Sequence, residues 1–190
     1  MDLGLADFSK LTGPLLTDIN ISEQVSYGYN VSVSLREGWI SFYQNWERWP
    51  QPAPCTDELS CQKISFIEES QLPDDQSIMR IADDFIKKYK IDRSSYGNGV
   101  ISKSWRNSFV QFPRSAETGA QLVGFDIPVI YPLLIDGQEV YDEWGGPIGI
   151  FISVNAREGR VSSAGNIGSQ NYERSGYSAV TDTKKIIEWA

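Results

Sequence analysis

The feature that most constrains this chain is an internal repeat. At an offset of 121 residues, GYNVSVSLREGWISFYQNW (28–46) lies over GIFISVNAREGRVSSAGNI (149–167) without a gap. Identities fall at Gly28/Gly149, Ser32/Ser153, Val33/Val154, Arg36/Arg157, Glu37/Glu158, Gly38/Gly159, Ser41/Ser162 and Asn45/Asn166. In the first copy Tyr27, Tyr29, Val31, Val33 and Leu35 alternate with Gly28, Asn30, Ser32 and Ser34. In the second, Ile148, Ile150, Ile152 and Val154 alternate with Gly149, Phe151, Ser153 and Asn155. A period of two predicts a strand with one buried face. Arg-Glu-Gly then predicts a tight turn, with Gly38 and Gly159 taking the left-handed conformation of a bulged hairpin. Each copy therefore reads as a β-hairpin that closes a larger unit, and common descent of the two copies competes with chance use of a common hairpin pattern.

The residues before the second copy show what a complete unit contains. Pro73-Asp74-Asp75 predicts a helix start, with Asp74 or Asp75 as the cap. Ile78, Ile81, Ala82, Phe85 and Tyr89 then recur at helical spacing, and the helix is expected to end near Lys90. Strands are expected over Val100–Trp105 and over Leu122–Ile135, where Pro128 and Pro132 suit an edge or a bulge. Asp136-Gly137 turns the chain into Glu139–Tyr141. The expected fold class is α+β, a helix packed on an antiparallel sheet, repeated, with the first copy incomplete. In domain terms, 1–50 is a partial first repeat, 51–72 a connector, 73–180 the complete second repeat and 181–190 a terminal helix capped by Thr181-Asp182-Thr183. The helix of the first copy would fall before residue 1. Either the sequence starts inside a repeat, or Leu3–Leu11 substitutes as a shorter helix.

Composition removes several chemistries. There is no His, so Ser-His-Asp and Cys-His catalysis, His-ligated zinc and His-based pH switching are excluded. The net charge of −8 opposes a surface that tracks nucleic-acid phosphates. No Walker-type loop or calcium loop occurs, and neither a metal nor a cofactor is expected. Ser60-Cys61-Gln62-Lys63 matches a Ser-x-x-Lys spacing, but the Lys-Thr-Gly strand such enzymes require is missing. No apolar run is long enough to span a bilayer, and the N-terminus lacks the pattern of a signal peptide.

Cys55 and Cys61 lie in PCTDELSC. Their spacing fits neither a metal site nor a Cys-x-x-Cys redox pair, leaving a structural disulfide or two unrelated thiols. A bridge across so short a loop would stabilise by roughly 2–2.5 kcal/mol and would place the chain in an oxidising, extracytoplasmic space.

Two clusters are candidate contact surfaces. Trp39, Tyr43, Trp46 and Trp49 form an aromatic run suited to sugar rings or partner side chains, with Trp46 and Trp49, beside Arg48, expected to stay partly exposed. Asp142-Glu143, beside Trp144-Gly145-Gly146, is the acidic pair best placed for a site, whereas Asp57-Glu58, Asp74-Asp75 and Asp83-Asp84 read as loop, cap and solvated helix face.

The helix ADDFIKKYKID followed by VIYPLLIDGQEVYDEWGGPIGIFISVNAREGRVSSAGNI resembles the PepSY-like, cystatin-like modules of bacterial envelope proteins. Such modules occur in tandem in membrane-anchored regulators of a cell-wall sensor kinase and in a spore-germination protein. The segments Phe42–Pro50 and Tyr131–Gly137 are also similar to "F-x-Q-N-W-x-R-W-P" and "Y-P-L-x-I-D-G" segments of envelope proteins from candidate-phylum bacteria. The resemblance implies a non-enzymatic module that acts through protein contacts in the cell envelope, held to the membrane only through an anchor outside this sequence. It implies no catalytic residue. A glycan-binding surface on the Trp39–Trp49 run is the alternative, and a carboxylate hydrolase using Asp142 or Glu143 is the third reading.

Overall fold

The computed structural model describes residues 17–51, 54, 56–57, 66–102, 114–115, 118–120 and 122–168. Cys55 and Cys61, Ser60 and Lys63, Leu3–Leu11 and the expected terminal helix fall outside the described residues.

The elements in order are β1 (Asp18–Ser22), β2 (Tyr29–Ser34), β3 (Trp39–Gln44), β4 (Ile67–Glu68), a 3-10 turn (Glu69–Gln71), α1 (Asp75–Tyr89), β5 (Val100–Ile101), β6 (Leu122–Val123), β7 (Asp126–Pro132), β8 (Leu134–Ile135), β9 (Gln138–Glu139), β10 (Gly149–Asn155) and β11 (Arg160–Ile167). Seven strands form one antiparallel sheet in the order β1-β2-β3-β11-β10-β7-β5, and α1 packs on one face of it. The fold is α+β.

The two repeated hairpins lie side by side in this sheet. β3 pairs with β11 through Phe42↔Ala164 and Tyr43↔Ser163. At the 121-residue offset Phe42 corresponds to Ser163 and Tyr43 to Ala164, so each contact maps onto the other and a local twofold relates the central strands. Both turns close in the same way. Gly38 and Gly159 have φ of 70° and 60°. The Glu37 amide donates to Ser34 Oγ, and the equivalent Glu158 amide donates to Asn155 Oδ1. The two copies do not form separately cored units: Tyr29, Val31 and Phe42 of the first join Ile150, Ile152, Val154 and Val161 of the second in one cluster under α1.

Alternation sets which side chains reach that core. Ile127, Val129 and Tyr131 of β7, with Ile150, Ile152 and Val154 of β10, are all fully buried. From the helix, Ile78, Ala82, Phe85 and Ile86 face them. Asp74 caps the helix by accepting from the Ser77 amide at 2.7 Å, and Lys90 ends it in the left-handed conformation. Tyr29 links the parts: its ring meets Phe42, Trp49, Phe85 and Tyr89 edge-on, and its hydroxyl donates to the Val161 carbonyl at 2.6 Å. Burial holds its phenol far above the ordinary value.

Two expectations need correction. β7, which carries both prolines, is not an edge strand, because β5 lies outside it. The Pro128 and Pro132 carbonyls accept from Ser102 and Gly97, so their missing N–H groups face the β5 side, where the ladder is only two residues long and little bonding is forfeited. The segment 122–135 is broken into three strands by the turn at Gly124 and Phe125 and by the bridge at Leu133. Within 51–72, Ile67 and Glu68 pair with Val123 and Leu122.

Candidate functional site

Between β7 and β10 the chain makes a folded arm. β8 and β9 pair through Leu134↔Glu139 and Ile135↔Gln138, with Asp136 and Gly137 at the turn. Val140 and Ile148 then tie the arm to itself and to the sheet: Val140 donates to the Leu133 carbonyl, Ile148 to Val140, and Leu133 to Ile148. A second turn, Asp142–Gly146, is closed by Asp142 donating to the Gly146 carbonyl at 2.8 Å.

This arm walls a cavity of about 210 Å³ on the sheet face opposite α1. Among the described residues its lining is Val100, Ile130, Pro132, Glu139, Tyr141 and Pro147. The position follows from strand alternation: Ile127, Val129 and Tyr131 point to the helix, so Ile130 and Pro132 point away from it. Val100 pairs with Ile130, and Ile130 with Phe151, which carries the apolar row across β5, β7 and β10. Val100 is 50% exposed, Tyr141 54%, Phe151 38%, and Trp144 at the nearby turn 87%. The volume is below the roughly 300–1,000 Å³ of sites that enclose a drug-sized ligand, and suits a single side chain or ring.

Glu139 supplies the one charge in the lining, and its Oε2 accepts the Tyr141 hydroxyl at 2.6 Å. That hydrogen bond, together with the carboxylate charge, raises the Tyr141 phenol above its ordinary value. From Asp126 to Ala156 the chain carries Asp126, Asp136, Glu139, Asp142 and Glu143 and no Lys or Arg.

The sequence-derived candidates separate into different places. Asp142 Oδ1 accepts from the Trp144 and Gly146 amides at 2.9 and 2.7 Å, which makes it the brace of its own turn. Glu143 and Trp144 project from that turn into solvent. In the other cluster, Trp46 is 61% exposed and Tyr43 53%, but Trp49 is 5% exposed. The expectation that Trp49 stays partly exposed is therefore overturned. Its indole donates to the Gly28 carbonyl at 2.9 Å, and its ring sits edge-on to Tyr27 and Tyr29. Gly28 itself sits where the chain folds tightly on 23–25: a Cβ there would lie 2.7 Å from the Glu23 carbonyl oxygen. Trp39 is half-buried, and exposed Arg48 bonds to Gln24 Oε1. Trp39, Trp46 and Trp49 thus do not share one open platform.

Val100, Ile130, Pro132, Glu139, Tyr141 and Pro147 were not singled out from the sequence as a site. The signal available for them was the outward phase of β7 combined with a base-free acidic stretch around Tyr141 and Trp144. No family model, curated protein or solved structure matches this chain.

Proposed function

We propose that this chain is a protein-interaction or regulatory module of the extracytoplasmic cell envelope, built from a duplicated PepSY-like, cystatin-like hairpin unit, and that it binds rather than catalyses. The observation that carries the reading is the apolar cavity beside the β8–β9 arm, lined in part by solvent-exposed Val100 and Tyr141, with exposed Phe151 on the neighbouring strand and exposed Trp144 in the turn that follows Tyr141. Exposed aromatic side chains beside a pocket sized for one residue are the anatomy of a contact hot spot. Duplication is supported by the exchanged pairs Phe42↔Ala164 and Tyr43↔Ser163. It is supported again by the outer strands: Asp18-Ile19 pairs with Ser34-Val33 as Asp126-Ile127 pairs with the equivalent Asn155-Val154.

The reading moves away from the Trp39–Trp49 glycan platform, because Trp49 is buried and Trp39 half-buried, which leaves Trp46 and Tyr43 as the exposed rings of that run. It also moves away from hydrolysis by Asp142, whose carboxylate is committed to its turn. A photo-crosslinking amino acid in place of Trp144 should capture a discrete envelope protein, and Tyr141→Ser in the same chain should abolish that product. Equal capture from position 46, or capture unchanged by Tyr141→Ser, would refute the assignment of the contact surface.

A further inference from the structure

The cavity's chemistry also indicates what fills it. We propose that the groove beneath the β8–β9 arm binds an extended, positively charged polypeptide segment, with one apolar side chain seated among Val100, Ile130, Pro132 and Pro147 and an adjacent arginine on Glu139 and Tyr141. This rests on the interaction reading above and deepens it.

Three observations converge on that occupant. First, size: about 210 Å³ accepts one branched or aromatic side chain, such as an extended segment presents. Crossing β5, β7 and β10 at the usual strand spacing takes about four or five residues of extended chain.

Second, polarity: among the described residues the lining side chains other than Glu139 and Tyr141 are aliphatic or proline. A sugar ring would bury hydroxyls against groups that cannot bond them, at a cost an apolar side chain avoids. Third, charge. The groove's carboxylate belongs to Glu139, its neighbouring turns carry Asp136, Asp142 and Glu143, and no base occurs from Asp126 to Ala156. Only Glu139 Oε2 is engaged by Tyr141 in the observed geometry. A guanidinium can take Oε1 while stacking on the Tyr141 ring, combining a charge-assisted hydrogen bond with a cation–π contact. An acidic partner would meet uncompensated repulsion at the same position.

The test uses four fluorescein-labelled peptides of about eight residues, long enough to cross the groove at the usual rise per residue. They alternate arginine with leucine, arginine with serine, serine with leucine, or glutamate with leucine. Binding to the full chain is read by fluorescein anisotropy. The arginine–leucine peptide is expected to bind saturably and to weaken as salt rises. Glu139→Gln should weaken it about tenfold through loss of the charged acceptor. Val100→Asp, on a short exposed strand, should abolish binding, and Trp46→Ser on the distant turn should change nothing. Equal binding of the arginine–serine peptide would overturn the proposal, since the cavity would then contribute nothing. So would tighter binding of the serine–leucine or glutamate–leucine peptide, or an unchanged affinity in Glu139→Gln. If no peptide binds while Tyr141→Ser still abolishes the crosslink from position 144, the basic partner is refuted and the contact surface stands.

Discussion

Gly149→Ala isolates the close contact between β7 and β10. Gly149 opens β10 opposite Pro132. A Cβ on it would lie 2.0 Å from the Tyr131 carbonyl oxygen and 2.9 Å from the Pro132 Cα. Ordinary contact begins at 3.4 Å, so the strands must part by about 1.4 Å, and the obstructing atoms are backbone with no rotamer to change. Fraying cannot absorb this cheaply, because Leu133 donates to the Ile148 carbonyl just beyond the pair. Parting them disturbs Tyr131 and Ile150, both fully buried, and weakens ladder bonds worth about 1 kcal/mol each. The expected loss is about 2–4 kcal/mol. Gly165→Ala supplies the control in the same sheet: among the described residues its Cβ meets only Ser41 Oγ, at 3.4 Å. There the lower conformational entropy of alanine in the unfolded chain should leave stability unchanged or raise it by up to about 1 kcal/mol. Urea unfolding followed by tryptophan fluorescence and circular dichroism gives both values if the slopes agree. Gly149→Ala within about 0.5 kcal/mol of the parent, or equal losses in the two variants, would refute the close approach.

Three further substitutions test the rest of the fold. Ile152→Ala, at a fully buried position in β10, should cost about 2–5 kcal/mol by urea titration, and a loss under about 1 kcal/mol would mean that α1 does not cover this strand. Tyr29→Phe removes the hydroxyl that meets the Val161 carbonyl and should cost about 1–2 kcal/mol with the far-ultraviolet spectrum unchanged; a neutral outcome would show that water takes over the bond. Asp74→Ala removes the α1 cap. The Ser77 amide holds the Asp74 carboxyl below its ordinary value, so the stabilisation is present above the unfolded carboxylate pKa and is lost as pH falls through the folded one. Melting temperatures of parent and variant should therefore differ at pH 7 and converge in acid, and a difference that persists in acid would mean that the cap does not act through its charge.

The hairpins and the helix were legible because each rests on local rules. Period-two alternation placed Ile150, Ile152 and Val154 inward, Arg-Glu-Gly placed the left-handed glycines, and Pro73-Asp74-Asp75 marked the start of α1, where Asp74 is the cap. What local rules do not carry is the neighbour of each strand. Nothing in the pattern of β3 or β11 says that they pair with each other, and that pairing joins the two similar hairpins in one sheet and one core. Trp49 misled for a related reason. Polar Arg48 and a run of prolines surround it in sequence, yet Gly28, twenty-one residues away, provides the carbonyl that binds its indole. The groove was hidden because its lining comes from β5, β7, β9 and the turn before β10, which meet only in the folded sheet.

The equivalence of the two halves also argues that the groove is more than slack packing. Ser22↔Asn30 in the first half and Ile130↔Phe151 in the second occupy matching places in the register, on the sheet face away from α1. The first pair is polar and joined by a hydrogen bond from Ser22 Oγ to Asn30 Oδ1 at 2.7 Å; the second is apolar and partly exposed. The connections differ in the same sense. Residues 23–28 link β1 to β2 tightly, through Glu23 to the Tyr29 carbonyl and Gly28 to that of Val25. Residues 133–148 link β7 to β10 through the β8–β9 arm. An apolar pair on an open face is a solubility liability, and a long connection costs closure entropy. Either change alone is unfavourable, because exposed apolar side chains without a wall gain no pocket and a wall over polar side chains encloses none. Their coincidence in the same half makes a concave apolar surface, which is what a docking site requires and what the fold by itself does not.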